Sequence, residues 1–280
     1  MTATIIQTAA LARRSIFATF RFPQAWFPSL FFPLVLMAIF TASFGRSIAF
    51  IPGFPKVDGF LSFAVTGAIV QGVLISSVGA GGFFAGDIEG GFFDRLVSSP
   101  TSRFSILVSR LCASVVLAAG QATFFLAIAL AFGATVKGGV LGALIVIALA
   151  ALLAIPMSGL GVYLALRTGS AEAVQGMFPL FFALMFFSST FFPRQTMTGW
   201  FKIAASTNPI SHLVEGMRQQ IIVGVDWQAA AVSFGIIVGL AVITVGASAL
   251  SFRRRIGGDM CARQPSAAPL RCQECSPGGR

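Results

Sequence analysis

Long apolar runs separated by short charged segments dominate the pattern of this chain. Six stretches without a charged residue are each long enough for the ~20 apolar residues that a helix needs to cross a bilayer. Their positions predict membrane helices near 26–44, 60–84, 105–132, 140–166, 174–192 and 228–251. We therefore expect an all-α integral membrane protein with a six-helix transmembrane domain over 25–255. An even number of crossings would place both termini on one side.

The first 24 residues form a different kind of element. Apolar residues recur there at helical spacing on one face: Ile5, Ala9, Ala12, Ile16 and Phe20. Arg14 and Arg21 fall roughly opposite, and the run is too short and too interrupted to span. This pattern predicts an N-terminal amphipathic helix in the membrane interface, with its arginines toward anionic head groups. A frayed N-terminus is the alternative.

Charge decides the orientation of the predicted helices. With the N-terminus inside, thirteen of the nineteen lysines and arginines lie in the cytoplasm, as the positive-inside rule requires. The chain is 56% hydrophobic and 10% charged, whereas a soluble domain has about a quarter of its residues charged. The net charge of +10 does not indicate nucleic acid, because the basic residues border apolar runs. We expect a multi-pass plasma-membrane protein with both termini cytoplasmic.

The segment from Asp87 to Arg110 interrupts the apolar pattern most strongly, with three carboxylates and three arginines in it. A charge in hydrocarbon costs at least a few kcal/mol, so most of this segment must lie outside the bilayer core. Gly90-Gly91 should loosen the chain, and Phe92–Ser99 can form about two helical turns before Pro100.

This short helix combines apolar and charged side chains, which a plain connecting loop would not need. The pattern predicts an apolar knob that docks in a groove of another protein. The predicted partner-binding residues are Asp87, Glu89, Phe92, Phe93, Asp94, Arg95, Leu96 and Val97. Ser102 is placed to cap the third membrane helix.

Between the fifth and sixth predicted spans, residues 193–226 are neither fully apolar nor freely soluble. Asn208-Pro209 is a helix-start signal, and the residues after it carry an apolar stripe: Leu213, Met217 and Ile221. Glu215 and Arg218 are spaced to pair on that helix. We expect two short helices that dip back into the outer leaflet, covered by protein. A structural role is expected for His212, the single histidine.

The C-terminal end offers little chemistry. Residues 256–280 have the composition of a disordered cytoplasmic tail. Cys272 and Cys275 have CxxC spacing, but the tail holds three thiols and no histidine, against the four ligands of a structural zinc site. No metal site is therefore predicted. The chain also lacks a GxxxxGK[ST] phosphate loop, so it is not expected to be an enzyme, and any ATP hydrolysis would occur on another chain.

Two motifs carry a resemblance to a known family. The run DIEGGFFDRL at 87–96, followed by SPTSR at 99–103, resembles the loop E-x-G-[TS]-x-[ED]-x-L…[ST]-P-[VL]-[SR] of type-two ABC exporter permeases, which include the daunorubicin-resistance permeases. Asn208-Pro209 with the later EGMR at 215–218 is similar to the segment before that family's last helix. The sequence departs from the pattern at Gly91-Phe92, where a small hydroxyl residue is common.

The resemblance implies an exporter built from two permease subunits, here expected to be a homodimer, and two separate ATPase subunits that hold the ATP and magnesium. Residues 87–103 would then contain the coupling helix that sits in the ATPase. The cargo, expected to be a hydrophobic drug-like or lipid-like molecule, would leave through a route at the permease dimer interface. Candidate residues for that route are Phe31, Phe32, Met37, Phe181, Met185 and Phe186, which could equally pack helices or face lipid.

Two other functions remain open from the residues. An ion-coupled secondary transporter would place ionisable groups near the membrane midplane and often shows repeated halves. The six spans as drawn contain no Asp, Glu, Lys or His, and Arg110 sits near an end. A non-transporting scaffold would bind some other partner through the Phe92–Val97 knob. The loop motif and the missing intramembrane charges favour the exporter.

Overall fold

The computed structural model describes residues 2–21, 23–45, 59–98 and 103–262, and within them it is helical without a β-strand. The helices are α1 (Thr2–Arg21), α2 (Pro23–Phe44), α3 (Phe60–Glu89), α4 (Phe92–Ser98), α5 (Arg103–Ala131), α6 (Gly139–Thr168), α7 (Ala171–Gln175), α8 (Phe178–Phe186), α9 (Gly199–Thr207), α10 (Pro209–Ile222) and α11 (Trp227–Ala262). A short 3₁₀ turn covers Arg194–Thr196. Ser102, predicted to cap the third membrane helix, lies outside the described residues.

Five of the described helices are long and apolar enough to cross a membrane: α2, α3, α5, α6 and α11. They coincide with the predicted spans near 26–44, 60–84, 105–132, 140–166 and 228–251. Two helices extend beyond their predicted ends, since α3 continues to Glu89 and α11 to Ala262. The start of the segment predicted to be a disordered tail, 256–262, is thus part of α11, and the rest of that tail lies outside the described residues.

The fifth predicted span, 174–192, is not one long helix. The chain forms α7, a turn at Gly176-Met177, α8, and a further turn over 187–190. Pro179 lacks the N–H that would bond the carbonyl of Gln175, which interrupts the ladder. The serines and threonine after Phe187 favour local bonds, such as that from the Ser188 hydroxyl to the Met185 carbonyl (2.6 Å). The whole apolar segment runs from Ala171 to Phe186 and would reach ~24 Å, against ~30 Å for a bilayer core.

Helix α3 forms the centre of the bundle. It packs against α2, α5, α6 and α10, while α11 packs mainly on α6. The side chains of Ile69, Val70 and Val73 on α3 are fully buried. In contrast, Val242 and Ile243 on α11 are 69% exposed, as expected for a helix whose outer face meets lipid rather than water.

The close approach of α3 and α6 depends on two glycines. A Cβ atom added at Gly81 would lie 2.8 Å from the Cα atom of Gly161 and 2.9 Å from its carbonyl carbon. Small residues at a helix crossing let two backbones touch, which is a main source of stability between membrane helices.

We expect Gly81→Ala to lower the thermal unfolding midpoint of the detergent-purified protein, because the added methyl must push α3 and α6 apart at a cost of about 1–3 kcal/mol. Gly86→Ala is the matched control on the same helix, since a Cβ atom there meets nothing within 4 Å and alanine favours helix. Equal losses in the two variants would contradict this explanation.

Helix α10 begins at the predicted Asn208-Pro209 signal. The Asn208 Oδ1 atom accepts a hydrogen bond from the N–H of Ile210 (2.9 Å), and its Nδ2 atom donates to the carbonyls of Leu184 (2.7 Å) and Phe187 (3.2 Å). The cap therefore also ties α10 to the end of α8. The predicted apolar stripe is confirmed, because Leu213, Met217 and Ile221 are all fully buried.

The expected pair between Glu215 and Arg218 is replaced by contacts to other elements. Glu215 forms an ion pair with Arg194 at 2.7 Å. Arg218 donates instead to the backbone carbonyls of Ser189 (3.0 Å) and Thr190 (3.1 Å). Local spacing predicted a pair within α10, but the folded chain brings Arg194 and the end of α8 within reach. The ring of His212 lies 3.0 Å from the Ser206 carbonyl oxygen, in line with the structural role expected for it.

Candidate functional site

The predicted coupling segment forms a short helix, α4, that turns back from the end of α3. Gly90 and Gly91 make the turn, closed by bonds from their N–H groups to the carbonyls of Gly86 (2.9 Å) and Ile88 (3.1 Å). Gly91 has φ of +66°, a conformation that glycine adopts at little cost. The departure from the family pattern at Gly91-Phe92 thus coincides with a left-handed turn that directs α4 back onto the bundle.

Phe93 anchors α4 to the membrane domain. Its side chain is only 3% exposed, and its ring lies edge-on to Phe84 of α3 (5.6 Å between centroids) and Phe252 of α11 (5.3 Å). From the sequence pattern, Phe93 was expected in a knob that docks on a partner. In this structure the ring instead faces the bundle, because α4 is too short to stand apart from it.

Phe92 connects α4 to the N-terminal helix. The guanidinium carbon of Arg14 lies 4.2 Å from the centroid of the Phe92 ring, a cation–π geometry. Helix α1 is itself held on α5, where the Thr8 hydroxyl donates to the Ser105 hydroxyl at 2.8 Å. Arg14 therefore has a contact with α4 beyond the head-group role that its sequence predicted.

The two carboxylates at the end of α3 also have contacts inside the chain. Asp87 forms an ion pair with Arg110 of α5. The Oε1 atom of Glu89 accepts a hydrogen bond from the N–H of Ala171 (2.8 Å) at the first residue of α7, as a carboxylate at a helix N-terminus commonly does. Both residues, predicted to meet a partner, thus join α3 to its neighbours.

Together these contacts make a joint, which we call the α4 joint: α4 with Phe84, Phe252, Arg14 and the two carboxylate contacts. On its outer side Arg95 and Ser98 are exposed, and the Arg95 Nε atom lies 3.5 Å from the Gly91 carbonyl oxygen. The side chains of Asp94, Leu96 and Val97 lie outside the described part of the structure, so their predicted role is not tested.

An open cleft of about 710 Å³ lies beside the joint, between α2, α3 and the α7–α8 segment. Its walls are mostly apolar, with Pro28, Phe83 and Phe178 among them, and Gln24, Asp87 and Gln175 supply polar groups. A large, mostly apolar hollow with a few polar groups is the usual form of a small-molecule site.

The six predicted route residues do not line this cleft. Met37, Phe181 and Met185 are buried among the helices, whereas Phe31, Phe32 and Phe186 are exposed on α2 and α8. Phe186 belongs to an aromatic row in which successive centroids lie 4.9–5.8 Å apart: Phe178, Phe182, Phe186, Phe191 and Phe40. Three of the six predicted route residues therefore pack between helices, and the other three lie on an exposed aromatic face.

Comparison with known proteins decides the family. The sequence profile of the ABC-2 type transporters matches residues 6–222. The chain belongs to the ABC-2 type transporter family. It is also 28% identical over 209 residues to the daunorubicin resistance ABC transporter permease protein DrrB1 of Streptomyces coeruleorubidus, an alignment that covers 74% of this chain and 71% of that relative. The resemblance drawn from the two motifs is thereby confirmed.

The region shared with the ABC-2 type transporters begins inside α1 and ends at the last residue of α10. The α4 joint thus combines residues inside that region with Phe252 of α11, which lies beyond it. Sequence reasoning missed Phe84, Phe252 and Ala171 as parts of the joint. An apolar residue directly before the Arg253–Arg255 cluster was the available signal for Phe252, since a helix end near the membrane surface can pack on an interfacial helix.

Proposed function

We propose that this ABC-2 type protein is the membrane-spanning subunit of an ATP-binding-cassette exporter in a bacterial plasma membrane. It would move a hydrophobic small molecule outward, as a homodimer, with ATP and magnesium bound by a separate ATPase chain. The observation that carries the proposal is the α4 joint. A short helix with exposed residues on one side, tied by its other side to α1, α3 and α11, is suited to pass movement from a soluble partner into the bundle.

The architecture we propose has six crossings with cytoplasmic termini. The α7–α8 segment would be the fifth crossing, with the turn over 187–190 completing it, and α9–α10 would be the re-entrant pair. Trp200 and Trp227 support this arrangement, since both are strongly exposed at the end of the bundle opposite α4, and tryptophan is enriched at membrane interfaces. Arg218 and Asn208 supply hydrogen bonds to carbonyls that a bilayer would leave unsatisfied.

The proposed mechanism is alternating access driven through α4. ATP binding would draw the two ATPases together and shift each α4, and the contacts of Phe93 would carry that shift to α3 and α11. The cleft between α2, α3 and α7–α8 would change width as a result. ATP contributes only by favouring one of the two conformations, as any ligand with differential affinity does.

The positions of ionisable residues favour this mechanism over ion coupling. In the described spans they lie at the ends: Asp87 and Glu89 at the end of α3, Arg110 near the start of α5, Arg167 at the end of α6 and Arg253–Arg255 on α11. A proton- or ion-driven transporter usually needs such groups near the midplane. The cargo preference rests on the apolar cleft, and daunorubicin is a reasonable first probe because the relative is named for resistance to it.

Co-purification tests the proposal. We expect the tagged chain to retain a nucleotide-binding ATPase from its native membranes, and Arg95→Glu to weaken that retention at least about fivefold, because reversing a charge at a complementary interface costs more than removing a rim contact. Lys202→Glu is the matched control, since Lys202 is equally exposed but lies on α9, at the opposite end.

Two results would contradict the proposal. One is failure of the wild-type chain to hold any nucleotide-binding ATPase, which would favour the scaffold or the secondary transporter. The other is equal retention by wild type and Arg95→Glu, which would mean that α4 is not the contact. Circular dichroism and membrane insertion of each variant separate loss of binding from loss of fold.

A further inference from the structure

A second, smaller cavity lies between α1 and the α4 joint. It encloses about 210 Å³ and is lined by residues of α1, α3, α4 and α5. Its polar lining includes Arg14, Ser15, Asp87, Ser109 and Arg110. With one carboxylate and two guanidinium groups, the lining carries one net positive charge, because arginine stays protonated in proteins.

The charges in this cavity are incompletely balanced. Asp87 pairs with Arg110, while Arg14 lies over the Phe92 ring, a contact that does not neutralise its charge. Two guanidinium groups that face one hollow repel each other, so a single negative charge between them would be favoured. Guanidinium groups are also the side chains best shaped for phosphate oxygens.

The cavity has an apolar continuation into the bundle. A narrower hollow of about 20 Å³ shares Thr19, Phe83 and Arg110 with it and continues between α3 and α5 as far as Leu117. Arg110 and Leu117 are seven residues apart on α5, so this hollow runs ~10 Å along the helix. A hollow of this volume holds about one water molecule, so the ligand is the charged group bound in the larger chamber. That chamber lies beside α1, the helix expected at the membrane interface, where lipid head groups supply phosphate.

We infer that this cavity binds the phosphodiester head of an anionic phospholipid, whose acyl chains stay in the surrounding bilayer. Basic pockets among membrane helices on the cytoplasmic side hold such head groups in general. The assignment rests on the proposed function only in placing this end of the bundle at the inner leaflet. A lipid held there would touch Phe92, and so α4.

Native mass spectrometry of the detergent-purified chain alone tests the site, without the ATPase, so its failure is separate from failure of the exporter proposal. The probes are phosphatidylglycerol, phosphatidylcholine and inorganic phosphate. We expect phosphatidylglycerol to be preferred over phosphatidylcholine by about tenfold, because phosphatidylcholine offers the same phosphodiester but adds a choline cation, which a lining with one net positive charge repels. Inorganic phosphate at millimolar concentration should neither bind measurably nor displace the lipid.

Adjacent arginines provide the matched comparison. Arg14→Gln should remove most of the preference for phosphatidylglycerol, whereas Arg13→Gln should keep it within about twofold, since one interfacial charge contributes little by itself. Arg13 lies on the same helix, with its guanidinium carbon 5.6 Å from the Phe17 ring, and does not line the cavity. Should Arg14→Gln fail to fold, Ala18→Leu fills the cavity without changing its charge and should also weaken binding.

Three outcomes would overturn the inference. Equal losses in the Arg13 and Arg14 variants would show only diffuse attraction of α1 to anionic membranes. Equal binding of the two lipids by the wild type would show no charge recognition. Displacement of the lipid by inorganic phosphate would assign the cavity to a free anion rather than to a lipid.

Discussion

Replacing Phe93 with alanine should uncouple the exporter, abolishing most ATP-driven transport while the ATPase stays bound. The ring of Phe93 joins α4 to the bundle, set against Phe84 and Phe252. Removing a buried phenylalanine ring costs about 3–5 kcal/mol. A seven-residue helix has little stability of its own to replace that contact, so α4 should detach while its outer face remains.

Two measurements would detect the uncoupling in Phe93→Ala. Inverted vesicles that contain the chain and its ATPase should show ATP-driven daunorubicin uptake reduced about tenfold or more, since even 1.4 kcal/mol shifts an equilibrium tenfold. Hydrogen exchange in the purified chain should become faster over 92–98, because local opening is what exchange reports. The exchange result does not depend on the cargo or on the ATPase.

Controls separate the anchor from a general loss of aromatic area. Phe132→Ala makes the same truncation at a ring that is 79% exposed and should leave both readouts unchanged. Phe93→Leu keeps most of the buried volume and should recover part of the transport. If Phe93→Ala leaves both exchange and uptake at wild-type levels, α4 does not act through Phe93.

The long elements of this fold were predictable from sequence because the bilayer imposes them. A run of about 20 apolar residues has few alternatives to a helix in hydrocarbon, which is why α2, α3, α5, α6 and α11 coincide with predicted spans. Local chemistry was equally informative at Asn208-Pro209, where the side chain caps α10. Gly169 ends α6 with φ of +66°, a conformation that glycine adopts at little cost.

The contacts of the site were less predictable, because each joins residues far apart in sequence. In a seven-residue helix, spacing shows that Phe92 and Phe93 are apolar but not which of them faces the bundle. The partner of Glu89 is a backbone N–H of α7, which carries no sequence signal. The face of α1 that packs inward was likewise set by α5: Leu11, Ser15 and Ala18 line the cavity, whereas Phe20 of the predicted stripe is exposed.

The break between α7 and α8 was also not predictable from hydrophobicity alone. Hydrophobicity across 174–192 predicted one helix, and the apolar character of that region is present in the structure. Pro179 and the Ser188–Thr190 run nevertheless stop the helix early. The freed carbonyls then need donors from elsewhere in the chain, and two of them are bonded by an arginine that sequence spacing had assigned to a pair with Glu215.

Loss of that arginine, Arg218, should strongly destabilise the end of the bundle formed by α8 and α10. Its Nη1 and Nη2 atoms donate to the carbonyls of Ser189 and Thr190, and its guanidinium carbon lies 3.6 Å from the centroid of the Phe63 ring. The side chain is 6% exposed. One residue of α10 therefore holds both the turn after α8 and the start of α3.

Arg218→Leu would leave two buried carbonyls without these donors, at about 1–3 kcal/mol each. We expect the thermal unfolding midpoint of the detergent-purified protein to fall by roughly 2–4 °C for every kcal/mol lost. Arg218→Lys should fall between wild type and Arg218→Leu, because an ammonium group lacks the planar fork that reaches two carbonyls and stacks on a ring. Gln219→Leu, at an exposed neighbour on the same helix, is the matched control and should change little.

The order of the unfolding midpoints shows whether the buried Arg218 stabilises the protein or could be replaced by an apolar residue without loss. Replacing a buried charge with an apolar residue can be neutral or even stabilising when its removal leaves nothing unpaired. Here the groups left behind are carbonyls at a helix break, where no continuing helix can bond them. A midpoint for Arg218→Leu equal to that of the wild type would mean that water or other donors satisfy these carbonyls, and that the turn after α8 is held by Asn208 and the neighbouring serines instead.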